Sequence, residues 1–394
     1  MKKKRITYID RNTQTYTILF SILKRCVIAI NTEPLLLNEC EWSDVYAESK
    51  QQGVCSLTYS LLLKREKENM PSNILCAWKT CTINTYLRNQ KLIDVQNIIV
   101  NALEYNRVKY AIVKGFSNLF YYNDDSGLYR HQNDIDVIID SEKFAYVKNI
   151  MDTICISPLY YDDIRMKYCL DGISIEIETN RFSITMNDVC NLGGIKVSKR
   201  CECIKEFAVM PIELQLIFAI RHMRNHILES SIGIRHIMDF AVVYKVVKNQ
   251  GKLKDIGNLL DNKDKVLFSA LSIIINYNVF ETCEHYDSKT QQLLYDILDG
   301  GEFGCKSKYR GLANTFIRTY RCPQLIIRTY VAMSMYVGTI EDNSRSNKVS
   351  KYFLLLHRSI KRYRSSEPKD RAHLINEIMS VRSRKIMYKQ FGLI

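Results

Sequence analysis

Three short segments between residues 108 and 178 have the hydrophobic patterns of β-strands. Residues 108–113 (VKYAIV) and 134–139 (DIDVII) are short apolar runs rich in β-branched side chains, which is typical of buried strands. In residues 173–178 (ISIEIE) every second residue is isoleucine, and this strict alternation indicates a strand with one buried and one polar face. The three segments predict a small β-sheet in an α/β core near residues 106–185.

Helical periodicity dominates on both sides of these strands. Residues 12–105 are predicted to be helical, and near their end apolar side chains recur every three or four residues, at Leu92, Val95, Ile99 and Leu103. A second apolar stripe follows Pro211, which suits a first helical turn, and consists of Leu216, Ile220, Met223 and Ile227. Further helices are predicted at residues 115–122, 144–153, 265–276, 309–337 and 351–364.

The order of these elements predicts an α+β fold, in which a small mixed β-sheet core is flanked by N-terminal and C-terminal helical bundles. We expect an N-terminal helical region at residues 1–105, an α/β core at residues 106–200 and a C-terminal helical region at residues 201–394. The chain has only 6 prolines and 15 glycines, so long flexible linkers between these regions are not expected.

The composition is that of an ordinary globular protein, with 46% hydrophobic and 25% charged residues. The net charge of +14 suits an anionic substrate such as a nucleotide or a nucleic acid, although a merely basic surface explains it equally well. Residues 357–389 are rich in Lys and Arg and form either a solvated helical face or an anion-binding tail. No apolar window is long enough for an integral membrane segment, and no leader peptide is apparent, so a cytoplasmic protein is expected.

The thirteen cysteines are scattered and form no CxxC pair and no zinc-type spacing with histidine. They are therefore expected to be reduced and mostly buried thiols. Only Cys201 and Cys203 lie close together, and a metal site at this pair is a remote alternative.

Candidate chemistry concentrates at the start of the second predicted strand. Asp134 and Asp136 lie two residues apart, so their side chains project to the same side of a strand and can share a divalent cation. Carboxylate oxygens are the ligands that Mg²⁺ prefers, and two Mg²⁺ ions can clamp the attacking and leaving oxygens of a phosphoryl transfer. Glu176 is the best candidate for a third carboxylate, and Glu178, on the same face of its strand, is the second choice.

Groups suited to binding phosphate precede this acidic pair. Lys114 and Gly115 follow the first strand and begin a helix, where glycine lets a phosphate approach the backbone and a helix N-terminus favours negative charge. Arg130 lies just upstream of the aspartates and can pair with a phosphate oxygen. Ser117 is a further candidate for substrate binding. The ordered series of strand, Lys-Gly, helix, Arg, Asp-x-Asp strand and carboxylate strand predicts a metal-dependent nucleotidyl-transfer site.

The same series resembles the uncharacterised bacterial nucleotidyltransferase family, a branch of the polymerase-β-like nucleotidyltransferase superfamily. The family's strand, Lys-Gly, helix, Arg and Asp-Ile-Asp pattern is matched by Lys114, Gly115, Arg130, Asp134, Ile135 and Asp136. The family's next strand often carries Glu-Leu-His, which aligns with Glu176-Ile177-Glu178, so that Glu178 replaces the histidine. Outside the core, the matching residues are Trp42, Ala47, Gly53, Val54, His222, His226, Arg235 and Asp239, and the resemblance covers roughly residues 40–290.

The resemblance implies an enzyme that binds a nucleoside triphosphate such as ATP with Mg²⁺ and transfers the nucleoside monophosphate to a hydroxyl or phosphate acceptor. A small acceptor, for example a sugar phosphate, is expected rather than a macromolecule. It further implies that His222, Arg235 and Asp239 bind substrate. His222 and His226 share one helix face, where a structural or substrate-contacting role is expected rather than a zinc site. Arg235 and Asp239 are one helical turn apart, and an ion pair between them is expected.

Two other functions remain open on the sequence alone. The same chemistry could place the nucleotide on a protein or on a tRNA end. Alternatively, the site could be degenerate, leaving a basic helical protein that binds nucleic acid or a partner in a salt-dependent manner. The carboxylate cluster argues against the second alternative, because without metal it would repel a phosphate backbone. The oligomeric state is left open.

Overall fold

The computed structural model describes residues 2–28, 33–155, 158–198, 204–285, 287–306, 309–318 and 368–394. The strands are β1 (Tyr110–Val113), β2 (Asp134–Ile139), β3 (Tyr160–Tyr161), β4 (Arg165–Leu170), β5 (Ile173–Glu178), β6 (Asn180–Arg181), β7 (Ile184–Thr185), β8 (Lys196–Val197) and β9 (Ala208–Val209). Seven of them form one mixed sheet in the order β3-β4-β5-β2-β1-β9-β8, and β6 and β7 form a separate hairpin. β2 runs parallel to β5 and antiparallel to β1.

The helices before the first strand are α1 (Lys2–Leu23), α2 (Glu39–Gln51), α3 (Cys55–Ser60), α4 (Lys64–Glu68) and α5 (Ser72–Tyr105). Within the sheet region lie α6 (Gly115–Asn118), α7 (Phe144–Cys155) and α8 (Met186–Asn191). After the sheet come α9 (Ile212–Glu229), α10 (Ile234–Asn249), α11 (Leu253–Leu259), α12 (Asn262–Asn278), α13 (Ser288–Gly300), α14 (Arg310–Arg318) and α15 (Pro368–Gln390). A mixed sheet with helices at both ends confirms the α+β fold class.

The three predicted strands correspond to β1, β2 and β5, but β4 was missed. Only Met166 and Tyr168 are fully buried in β4, so its apolar signal is too short to stand out. The helix predicted at residues 115–122 is a single α-turn that continues as a 3₁₀ turn, Leu119–Tyr121. The helix predicted at 309–337 begins as α14, and its remainder and the helix at 351–364 lie outside the described residues.

The central sheet has two different faces because side chains alternate along each strand. One face is continuously apolar: Ile112, Ile135, Val137, Ile175 and Ile177 pack there against the last turns of α5 and against α7. The opposite face mixes apolar and acidic side chains: Ala111, Val113, Asp134, Asp136, Ile138, Glu176 and Glu178. The acidic residues therefore lie between the sheet and the helices that cover this second face.

The helices at the two ends of the chain share one hydrophobic core. Leu19, Trp42 and Trp78 from the N-terminal helices belong to the same buried cluster as Phe218 of α9 and Phe240 of α10. Ala111 and Val113 of β1 join this cluster from the second face of the sheet. The two helical regions thus form one continuous layer over the acidic face, while the boundaries predicted at residues 105/106 and 200/201 stay predictions.

The described part of the basic C-terminal segment packs onto the body of the protein. In α15, Arg384 forms ion pairs with Asp296 of α13 and with Glu377 of its own helix. The hydroxyl group of Tyr388, which is fully buried, donates to the backbone oxygen of Ile227 at 3.3 Å. At these positions the segment is a packed helix rather than a free tail. Among the described helices, none is long and apolar enough to cross a membrane.

The cysteines of the described residues are all free thiols, but most of them are not buried. Cys26 and Cys55 are buried, whereas five others are exposed: Cys40, Cys76, Cys169, Cys190 and Cys305. The expectation of mostly buried thiols was therefore wrong, because several cysteines occupy the outer faces of helices and strands. Cys201 and Cys203 lie outside the described residues.

A buried ion pair joins the helical layer to the loop that precedes β2. The Arg130 Nε atom lies 2.5 Å from an Asp239 carboxylate oxygen, and a second guanidinium nitrogen bonds the other oxygen. Tyr122 donates its hydroxyl to the same carboxylate at 2.7 Å. Asn89 of α5 fixes the loop from the other side by donating to the Arg130 backbone oxygen at 2.8 Å. Sheet, loop and α10 are thereby held in one arrangement.

Replacing Asp239 with Ala should lower the free energy of unfolding by about 3–5 kcal/mol, because the Arg130 guanidinium would be left buried without a countercharge. The matched control is Glu68→Ala, which removes an exposed carboxylate 3.8 Å from Lys64 and should cost no more than about 1 kcal/mol. Urea unfolding followed by circular dichroism measures both values. An equal decrease in the free energy of unfolding in the two variants would show that the buried ion pair stabilises the protein no more than an exposed one.

Candidate active site

Three carboxylates converge on the acidic face because of the register between β2 and β5. Asp136 lies opposite Glu176 in this parallel pair, and Asp134 lies opposite Ser174. One oxygen from each of Asp134, Asp136 and Glu176 lies within 4.8 Å of the others. A cluster of hard oxygen ligands at this spacing fits a divalent cation such as Mg²⁺. Glu178 is not part of this cluster, so the third carboxylate is Glu176.

Lys114 supplies the countercharge of the two aspartates in this structure. Its ammonium group forms an ion pair with Asp136 and lies 3.8 Å from an Asp134 oxygen. The backbone of Lys114 has φ = 60° and ψ = −140°, a conformation that side chains other than glycine rarely adopt. This turn directs the side chain back over β2 instead of along β1. The sequence had assigned Lys114 to phosphate binding, and the structure places it on the carboxylates.

The electrostatics of the triad reflect its burial. Burial raises the pKa of Asp136 to about 7, and the charge of Lys114 only partly opposes that shift. Burial would also raise the pKa of Glu176, but the cations around it, chiefly Lys114 and Lys167, outweigh burial and lower it. The Lys167 ammonium lies 2.9 Å from a Glu176 oxygen. Glu176 is therefore held in its ionised form, while Asp136 depends on a nearby cation to stay charged.

A cavity of about 220 Å³ lies between the carboxylates and the helices α9 and α10. Of the ten candidate site residues, nine line it: Lys114, Gly115, Ser117, Arg130, Asp134, Glu176, His222, Arg235 and Asp239. The tenth, Asp136, is only 5% exposed and lies below the ammonium of Lys114. The sequence pattern thus selected residues that meet around one space, although they come from five separate segments.

Arg130 and Gly115 fit tightly against each other at one wall of this cavity. Besides its bonds to Asp239, the Arg130 guanidinium donates to the side-chain oxygen of Gln132 at 3.0 Å. A Cβ atom on Gly115 would lie 2.4 Å from an Arg130 nitrogen. Glycine is required here because the guanidinium occupies the space beside it, which differs from the expected reason of phosphate approach.

Ser117 and the short helix that contains it support the turn at Lys114. The Ser117 hydroxyl donates to the Lys114 backbone oxygen at 2.8 Å and so stabilises the turn. Because α6 is only four residues long, its dipole is much smaller than that of a full helix. What Lys114 and Gly115 contribute to the site therefore comes from the geometry of this turn and not from a helix dipole.

The expected ion pair between Arg235 and Asp239 was wrong. Asp239 is bound by Arg130, and Arg235 instead forms an ion pair with Glu302 beyond the end of α13. Arg235 also donates to the His131 backbone oxygen at 3.0 Å. Both residues line the cavity, but each is held by a partner more than sixty positions away in the sequence, which no local spacing reveals.

Three histidines form the wall opposite the carboxylates. The Nε2 atoms of His222 and His226 lie 2.8 Å apart, and the ring of His236 lies within 6 Å of both rings. Burial lowers the pKa of all three, to about 4 for His226. They are therefore neutral near pH 7, and the ammonium of Lys114 reinforces the shift at His222 and His226.

His236 and Arg181 line the cavity but were missed in the sequence. In His236 the Nδ1 atom accepts from the Gly233 backbone N–H at 3.4 Å, so the neutral ring carries its proton on Nε2. That Nε2 atom is buried and has no hydrogen-bond partner among the described residues. His236 lies between Arg235 and Asp239 on the helix already singled out, and this position was the only available signal. Arg181 follows β5 in a hairpin that was not predicted.

A family model described as an uncharacterised nucleotidyltransferase matches residues 38–263, which is more than half of the chain. The matched segment runs from the residue that caps α2 to the start of α12 and contains the whole sheet. It ends earlier than residue 290, where the resemblance was expected to end. No curated protein and no solved structure matches the chain.

Replacing Lys114 with Met should increase the affinity for Mg²⁺ or Mn²⁺ about tenfold, because the ammonium no longer competes for Asp136. Isothermal titration calorimetry measures the affinity, and Asp134→Asn and Glu176→Gln should each weaken it. The matched control is Lys148→Met, which removes an ammonium that pairs with Asp152 on α7. An unchanged or lower affinity in Lys114→Met would mean that the lysine does not compete with the cation.

Replacing Gly115 with Ala should destabilise the protein by about 1–3 kcal/mol, because the new methyl group overlaps the Arg130 guanidinium. The matched control is Gly257→Ala in α11, where no atom lies within 4 Å and alanine should stabilise the helix by up to about 1 kcal/mol. Denaturant titration of both variants gives the two changes. Opposite signs are expected, and a destabilisation of the same size in both would contradict the packing argument.

Proposed function

We propose that this chain, which belongs to the uncharacterised nucleotidyltransferase family, transfers a nucleoside monophosphate from a nucleoside triphosphate to a small acceptor molecule in a Mg²⁺-dependent reaction. The observation that carries the proposal is the cluster of Asp134, Asp136 and Glu176 at the edge of a cavity. Nucleotidyl transfer depends mainly on positioning and on neutralising phosphate charge, and these are the features that the cavity offers.

Asp134, Asp136 and Glu176 would hold the Mg²⁺. When bound, the cation would neutralise negative charge on the phosphate oxygens and polarise the acceptor hydroxyl. For Asp136 to act as a ligand, the ammonium of Lys114 must leave it, and the nearest space is the cavity that Lys114 lines. There it would pair with an oxygen of the leaving pyrophosphate, so that the expected phosphate role of Lys114 is retained in a second position.

The transfer itself uses Glu176 as the base. An oxygen of the acceptor attacks the α-phosphorus, and the bond from that phosphorus to the β-bridging oxygen breaks with its electron pair leaving on pyrophosphate. The proton of the acceptor hydroxyl passes to the carboxylate of Glu176, which neighbouring cations keep ionised. Arg181, 3.4 Å from a Glu176 oxygen, fixes that carboxylate at the side of the triad away from Gly115.

The far wall of the cavity supports binding of the nucleoside part. His222, His226 and His236 are neutral, so they can donate or accept hydrogen bonds without adding charge. The proton on Nε2 of His236 is free to bind an oxygen of the substrate. Phe303 lies within 5.5 Å of the rings of His226 and His236 and offers a flat apolar surface. A ribose or a base would fit between these groups.

The charge of the cavity supports an anionic substrate. Four basic side chains line it, those of Lys114, Arg130, Arg181 and Arg235. Three carboxylates line it as well, and a bound divalent cation would add to the positive side. A degenerate, non-enzymatic protein has no need for a carboxylate cluster aimed at such a space.

The test is pyrophosphate release from each of the four nucleoside triphosphates, with Mg²⁺ and a cell-extract fraction as the source of acceptor. Asp134→Asn and Glu176→Gln should each lower the rate on the order of 10²–10³-fold, because charge stabilisation is lost in the transition state. Chelation of Mg²⁺ should abolish it. The control is Asp171→Asn, in the exposed turn between β4 and β5, where φ = 51° is compatible with asparagine.

In the same experiment the α-phosphate is labelled, and the product that carries the label identifies the class of acceptor. Label on small molecules supports the proposal, whereas label on protein or tRNA favours a macromolecular acceptor. A rate that is independent of metal and unchanged in both carboxylate variants would falsify the enzymatic assignment.

A further inference from the structure

A second cleft, of about 430 Å³, opens beside the first cavity and shares Arg181 and His226 with it. It lies over the end of β5, where Glu178 follows Glu176 on the same face of the strand. Its opposite wall is α9, which contributes Asn225 and Glu229. The volume is within the range of small-molecule sites, which is roughly 300–1,000 Å³.

The position of this cleft relative to the carboxylates follows from the strand order. Across the sheet, β1 with Gly115 at its end is followed by β2, then by β5 with Glu176, and then by β4, which contributes Arg165 to the cleft. The cleft and the Lys114-Gly115 turn are therefore on opposite sides of the triad. In phosphoryl transfer the attacking and the leaving oxygen are roughly in line on opposite sides of the phosphorus. If pyrophosphate leaves near Gly115, the acceptor enters from the cleft.

A strained hairpin, formed by β6 and β7, lies between the first cavity and the cleft. Phe182 and Ser183 connect β6 to β7 as a two-residue loop with φ of 52° and 60°. Such loops favour asparagine and glycine, and a phenylalanine there is conformationally unfavourable. The strain places the Phe182 ring 5.1 Å from that of Phe218 and leaves the preceding Arg181 bridging Glu176 and Glu178. Strain of this kind concentrates at functional sites.

The charges in the cleft do not favour a phosphorylated molecule. It contains two guanidinium groups and three carboxylates, those of Asp162, Glu178 and Glu229. Arg181 is engaged by Glu176 and Glu178, and Arg165 lies 4.0 Å from Asp162 and against the ring of Tyr160. No basic excess remains to neutralise a phosphate, and among the described residues only the triad at the first cavity offers a carboxylate cluster for a divalent cation that could do so.

The uncharged polar groups of the cleft match hydroxyl groups instead. The side-chain amides of Asn180 and Asn225 both line it, and within the described part of the chain neither makes a hydrogen bond. Each amide offers donors and an acceptor side by side, as does each hydroxyl of a polyol. Ile164 and Phe182 add apolar surface for carbon-bound hydrogens.

We infer that this cleft binds the acceptor and that the acceptor is a polyhydroxylated small molecule without phosphate, such as a sugar or an amino sugar. The inference rests on the proposed nucleotidyl transfer and narrows its acceptor class. It replaces the sugar phosphate expected from the family resemblance. One hydroxyl of the acceptor reaches past Arg181 to Glu176, while Asn180, Asn225 and Glu229 bind the remaining hydroxyl or amino groups.

The test measures pyrophosphate release by the whole protein with Mg²⁺ and a nucleoside triphosphate, using a panel of free hexoses, pentoses and hexosamines and the corresponding sugar phosphates. A non-phosphorylated member should stimulate release at least about tenfold over buffer, and its phosphate should not. Asn225→Ala and Asn180→Ala should raise the KM for that sugar about tenfold each, with the KM for the nucleotide unchanged. The matched control is Asn73→Ala, an exposed asparagine of α5 that lines neither space.

Binding of a fluorescent nucleoside triphosphate analogue with Mg²⁺ distinguishes failure of the acceptor inference from failure of the proposed nucleotidyl transfer. If the analogue binds but only sugar phosphates, RNA or protein stimulate release, or if no free sugar does, the inference is overturned and the nucleotidyl transfer stands. The same holds if the two asparagine variants behave like Asn73→Ala. If the analogue does not bind, the proposed function fails, and the inference fails with it.

Discussion

The buried pair of Arg130 and Asp239 sets the distance between the sheet and the helices that cover it. The bond ties the loop before β2 to α10, and Tyr122 and Asn89 secure the two ends of the same assembly. Because the guanidinium fills the space beside Gly115, the Lys114-Gly115 turn can adopt only a narrow range of positions. Both residues of this pair line the cavity between the triad and the histidines, so the pair joins two of its walls.

The acidic face of the sheet is stable only because its charges are compensated locally. Three carboxylates within 4.8 Å repel one another, and their burial next to an apolar core strengthens the repulsion. Lys114, Lys167 and Arg181 each bind at least one of these or the neighbouring carboxylates. Acidic and basic side chains thus alternate across the site, and in the proposed reaction a phosphorylated ligand and a divalent cation would replace these existing ion pairs.

Hydrophobic periodicity predicted the positions of those side chains whose direction is set within a single strand. The alternation in β2 and β5 was enough to place Asp134, Asp136 and Glu176 on one face, and their register brought the oxygens together. Contacts between distant segments were not predictable in this way: Arg130 and Asp239 are 109 positions apart, and Arg235 takes Glu302 as its partner instead of its helical neighbour. The direction of the Lys114 side chain depends on a backbone conformation with positive φ, which lysine rarely adopts and therefore does not signal in a sequence. β4 and the hairpin at Phe182 were missed because each presents too few buried side chains to form a pattern.

A lysine tethered within an acidic cluster also compensates the charge of that cluster before any metal binds. Newly synthesised chains can complete the sheet with an internal cation, so folding does not have to wait for metal supply, in contrast to domains that collapse only around zinc. The tether keeps the ammonium at a high effective concentration beside Asp136, so a cation that binds the triad has to displace it. Selectivity for small, doubly charged ions would then arise from this competition and not from a rigid cage of ligands.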